Sequence, residues 1–133
     1  MRYIYTFLLS FPALVVFDYL FLGVVAKNTI QKLLYPAIGE IQLNIMPAVL
    51  FYLLYTAGII FFAVIPAENS QSIGKAILLG ALFGFFCYMT YELTNFSTIK
   101  NWPIKMVLID ILWGTIVSGL VAAISYQIYT YLK

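Results

Sequence analysis

Between Ile45 and Ile65 the chain is apolar on nearly every face, interrupted only by Tyr52, Tyr55 and Thr56. A helix of that kind has no polar side to turn toward water, so it must be covered all round. Crossing a hydrocarbon layer takes about 20 mostly apolar residues, and three further runs reach or approach that length: Ile4–Val25, Lys75–Tyr91 and Ile104–Tyr131. With 64% hydrophobic and 9% charged residues in 133, the chain cannot hide its apolar surface within one water-soluble core. The expected fold is all-α: a polytopic membrane protein with a single four-transmembrane-helix bundle over 1–133. A transmembrane barrel would instead show strands of alternating polarity over about ten positions, and these runs do not alternate.

Charge and reactive groups narrow the function. The net charge is +2 and the seven basic residues are scattered, so no nucleic-acid partner is expected. Cys87 is the single cysteine, which excludes an intrachain disulfide; its apolar neighbours suggest a small core residue. Histidine is absent, so acid–base chemistry would fall to carboxylates, tyrosines or lysines, and no cofactor is expected.

A signal peptide is the competing reading of the first run, but the run exceeds an ordinary signal core of about 7 to 15 residues and contains Asp18. Pro12 is expected to bend it at most. The connection 26–44 spaces Ile30, Leu33, Leu34, Ala37, Ile38 and Ile41 among Lys27, Lys32, Glu40 and Gln42. That pattern predicts an interfacial amphipathic helix interrupted at Pro36, able to act as a lid over one mouth of the bundle; an ordinary loop is the alternative. Pro47 suits the first turn of the second span and Pro66 its stop.

Two stripes of small residues recur at intervals of four. Gly80 and Gly84 lie on the third span; Gly114, Ser118 and Ala122 follow Asp110 on the fourth. Small residues at that spacing let helices approach closely, so the two spans are expected to pack together.

Three acids set the candidate site. With a rise of about 1.5 Å per residue, Asp18 lies roughly 20 Å into its crossing, Glu92 at the exit of the third span, and Asp110 about 9 Å below the re-entry point. All three therefore fall in one half of the membrane. Tyr19, Tyr91, Thr94, Asn95, Trp102 and Trp113 lie close in sequence or depth and complete the expected pocket. Glu92 at the boundary has a plainer explanation in simple solvation, while Asp18 and Asp110 are harder to place without a partner, since an acid near a helix centre costs about 2.5–3.5 kcal/mol to insert. Two carboxyl groups in contact there would share a proton or take a cation. Asp18-Tyr19-Leu20-Phe21 and Asp110-Ile111-Leu112-Trp113 share an acid, a leucine and an aromatic, too short a match to establish an inverted repeat.

Asp18 with Leu22-Gly23, then Tyr91-Glu92-Leu93-Thr94-Asn95, Trp102-Pro103, and Asp110 with Trp113-Gly114 resemble a bacterial family of small predicted membrane proteins, the DUF2177 family. The resemblance spans nearly the whole chain. It differs in carrying Glu92 where aspartate is usual and Phe21 where tryptophan is usual. It implies four helices and a set of polar motifs, with no assigned activity, and a bacterial inner-membrane location.

Three functions follow from these residues. The first is a small carrier or channel using the carboxyl groups for protons, cations or amphipathic solutes, and four helices then imply a homodimer or larger assembly. The second is a protein that binds or modifies a lipid or isoprenoid, where an acidic, aromatic-rimmed pocket suits an amphipathic cation. The third is a structural subunit of a larger membrane assembly. The bilayer itself is the expected partner in all three.

Overall fold

A computed structural model describes residues 1–133, and it is helical throughout, with no strand. Four helices are long and apolar enough to cross a membrane: α1 (Arg2–Val25), α3 (Ile45–Asn69), α4 (Ile73–Thr98) and α5 (Ile104–Tyr131). A shorter helix, α2 (Lys27–Ile38), lies between the first two. The bundle has two ends. Both termini lie at one, where the Arg2 Nε donates to the Tyr129 carbonyl at 2.9 Å and Lys133 pairs with Glu68 at 3.6 Å. The other, here the connection face, carries α2 and the α4–α5 loop.

The expected contact between small-residue stripes forms the most extensive helix pair, α4 against α5. A Cβ on Gly80 would overlap Ala122 and the Ser118 carbonyl; one on Gly84 would overlap the Gly114 carbonyl and Ser118. On the other side, Gly114 leaves the space that the Tyr88 ring fills. The glycines thus set a close approach of the two backbones along two turns. Helix α1 then packs on α5 and on α3, around a core of Leu14, Ile59, Ala63, Val117 and Val121.

Several local expectations are corrected. Pro66 does not stop the second span, which continues to Asn69. The helix widens into a π turn at Ile60–Val64 just before it, and that change of hydrogen-bond pattern accommodates a residue without an N–H. Likewise α2 runs through Pro36 and ends at Gly39, whose φ of 72° breaks the helix. The third span extends past Tyr91 to Thr98, with Ser72 capping its start by accepting from the Lys75 N–H at 3.2 Å. Cys87 is exposed and not a core residue, because Gly84 and Tyr88 hold the inward face of α4 and leave Cys87 on its outer side.

Candidate functional site

The ladder of close contacts between α4 and α5 ends in carboxyl groups. Gly80 lies against Ala122, Gly84 against Ser118 and Tyr88 against Gly114. Four residues further on α4 and four back on α5 come Glu92 and Asp110, the next rung of the same antiparallel pair. The register sets their carboxyl groups side by side, close enough to act on one another. Glu92 has no exposed surface, so its expected solvation at the boundary is overturned: α4 carries it inside the helix, facing α5 instead of water.

Trp102 closes this rung from the connection face. The α4 helix ends at Thr98, the backbone turns through Lys100 and Asn101, and Asn101 takes a left-handed φ of 65° that asparagine tolerates. The turn brings the Trp102 Nε1–H onto Glu92 Oε2 at 2.8 Å. Glu92 Oε1 is buried and meets no donor in the fold, and Asp110 is the acid beside it. An ionised carboxylate can only accept, so two of them satisfy each other only through a proton or a cation between them.

Over Trp102 lies α2. Its buried Ile30 and Leu34 join Ala26, Trp102, Met106 and Val107 in one apolar cluster. The amphipathic segment therefore roofs the Glu92–Asp110 pair by way of the indole. It is joined to its neighbours by the π turn Phe21–Val25 on one side and by Gly39 on the other.

Asp18 occupies a separate setting. Its Oδ1 accepts from the Trp113 Nε1–H and its Oδ2 from the Tyr52 hydroxyl, each at 2.8 Å. One carboxyl group thus ties α1 to both α3 and α5. The Phe21 ring stacks on the Trp113 indole, centroids 4.2 Å apart and planes 13° from parallel, which holds the indole in the orientation its hydrogen bond needs. Trp113 is one turn along α5 from Asp110, so the two acid groups share a helix and lie at neighbouring depths.

The nine expected site residues divide accordingly. Asp18 and Trp113 form one group, and Glu92, Asp110 and Trp102 form the other. Tyr91 is exposed and sets its ring edge-on to Trp102 with centroids 6.4 Å apart; Asn95, one turn further along α4, is partly exposed, so both stand at the rim. Tyr19 is 66% exposed and faces outward. Thr94 is also exposed; its carbonyl accepts from Ser97 and Thr98. Tyr52, Tyr55 and Ser118 were not expected in a polar cluster, yet Tyr52 holds Asp18 and Tyr55 bonds Ser118 at 2.6 Å. With Thr56, Tyr52 and Tyr55 are the polar handles of an otherwise apolar span, and that pattern is the signal in the sequence. No group of three His, Cys, Asp or Glu side chains is placed to hold a metal ion.

The family model described as "Predicted membrane protein (DUF2177)" matches residues 3–127. The chain belongs to this family. No curated protein and no solved structure matches it. The match covers all four spans except Arg2 of α1 and the last few residues of α5, and so includes both acid groups and the α2 roof.

Proposed function

We propose that this protein is a small membrane carrier in which the Glu92–Asp110 pair takes up and releases a proton, alone or in exchange for a small cation. The reading is carried by the Glu92 Oε1: fully buried, without a donor in the fold, and set against a second carboxyl group. Such a pair is incomplete without a proton or cation between its oxygens. The Trp102 indole and the α2 roof separate the pair from the connection face, and their displacement gives access. A helical bundle of this kind suits the inner membrane of a bacterium, since outer-membrane spans are barrels.

The test is potential-driven proton uptake into vesicles that hold the purified protein and an internal pH dye. Unaltered protein is expected to carry protons faster than empty vesicles, and Asp110→Asn, which cannot ionise, is expected to abolish the difference. Equal flux from the two proteins would remove the reading.

Asp18 stands outside that exchange. Both oxygens of Asp18 are satisfied by donors within the bundle, as expected of an acid that only ties helices together. We assign that role to Asp18 alone.

A further inference from the structure

Between the acid groups and the terminal end, the bundle axis is lined by hydroxyl groups. Thr6 and Ser10 on α1, Thr56 on α3, and Ser118 and Ser125 on α5 all have no exposed surface. Hydrogen bonds at both ends fix how these helices face one another. Arg2 meets Tyr129 and Asp18 meets Trp113, which sets α1 antiparallel to α5 with Thr6 level with Ser125. Asp18 meets Tyr52, which sets Leu14 level with Thr56.

The column follows from this register. Along α1 the buried positions are Thr6, Ser10, Leu14 and Asp18, one every four residues, or about 6 Å apart. Leu14 is the one apolar rung, and at its level Thr56 and Ser118 supply the hydroxyl groups that α1 lacks. A polar group therefore stands at each step from Arg2 to Asp18.

Two of these groups are unexplained by the fold. Ser10 Oγ and Ser125 Oγ are buried with no hydrogen-bond partner, and so is Arg2 Nη2 at the terminal end of the column. Buried hydroxyl groups in folded proteins find partners, and where the protein supplies none a bound water does, provided other polar groups lie around it. Here they do: Thr6 is level with Ser125, and Thr56, Ser118 and the Tyr55 hydroxyl lie one step beyond Ser10.

We infer that this column binds a file of water molecules through Ser10 and Ser125, and that the file passes protons between the terminal end and the depth of Trp113, one turn of α5 from Asp110. The inference rests on the carrier reading above and names its second half-path. Hydroxyl groups and water both donate and accept, so a proton handed to one water is released from the next, and no covalent bond beyond O–H is made or broken. Leu14, Val117 and Val121, each at most 1% exposed, pack around the column and shield it from lipid. The Arg2 charge opposes entry at the terminal end and keeps the file from being an open leak.

The experiment uses the double variant Ser10→Ala/Ser125→Ala beside Asp110→Asn and the unaltered protein, all in lipid vesicles. Solid-state NMR read through polarisation from water is expected to show rapid transfer to Ser10 and Ser125 and to neighbouring Leu14, lost at Leu14 in the double variant. Proton uptake by the double variant is expected to fall about tenfold or more. Dry signals at Ser10 and Ser125 overturn the file. So does flux that is abolished in Asp110→Asn but intact in the double variant, an outcome that leaves the carboxyl pair standing. No flux from the unaltered protein overturns the carrier reading and the file's role together.

Discussion

Asp18 and the Glu92–Asp110 pair are both buried carboxyl sites at neighbouring depths, and the structure treats them in opposite ways. Asp18 meets two donors, an indole and a phenol, one on each oxygen. Glu92 meets one donor and one acid. Burial alone therefore says little about what an intramembrane acid does; the donor count around it says more. A carboxyl group surrounded by donors is finished by the fold, whereas two facing carboxyl groups need something the fold does not contain.

The contrast can be broken most forcefully from outside both groups. Gly84→Leu places a side chain where the Gly114 carbonyl and Ser118 already lie. It should separate α4 from α5, destabilise the protein by about 3 kcal/mol or more in reversible unfolding, and disrupt the carboxyl rung while sparing the Asp18 hydrogen bonds.

Next in size is Asp18→Asn. Its amide NH₂ would face one of two donors, leaving that donor unpaired, at a loss of about 1–3 kcal/mol in the same assay. Trp102→Phe removes the hydrogen bond to Glu92 but keeps most of the ring that packs under α2, for an expected loss of about 1–2 kcal/mol. It should also speed hydrogen exchange in α2, since the indole fixes the roof to the site.

Tyr52→Phe is milder, about 0.5–1.5 kcal/mol, because Tyr52 is only half-buried and Asp18 keeps its indole partner. The smallest stability effect belongs to Asp110→Asn, which should unfold within about 0.5 kcal/mol of the unaltered protein, because an amide supplies the donor that Glu92 Oε1 lacks. That one chemical change should harm position 18 and spare position 110 is the sharpest form of the comparison. Equal losses at both would show that Asp110 is held by donors after all.

Much of this architecture was legible beforehand. The four apolar runs, the amphipathic connection and the packing of Gly80 and Gly84 on α5 follow from period and side-chain size. The boundaries at Pro36 and Pro66 did not, because a last-turn position or a preceding π turn accommodates proline in ways its local rule does not foresee. Within the site, Glu92 was the instructive error. Ending the third span at Tyr91 puts Glu92 at the membrane boundary, yet counting by fours from Gly80 through Gly84 and Tyr88 reaches Glu92 directly. The stripe of small residues held the address of the acid.

Sequence alone determined that this chain must be covered by lipid, that its spans are helices, and that Asp18, Glu92 and Asp110 lie toward the same end of those spans. Those conclusions need only the solvent's thickness, the helical rise and the dearth of charge. Tertiary structure decided which acid faces which partner. Hydrogen-bonding identity depends on helix rotation and register, here fixed by glycine contacts at Gly80 and Gly84 and by indoles reaching from Trp102 and Trp113, and no count along one helix contains the orientation of the next.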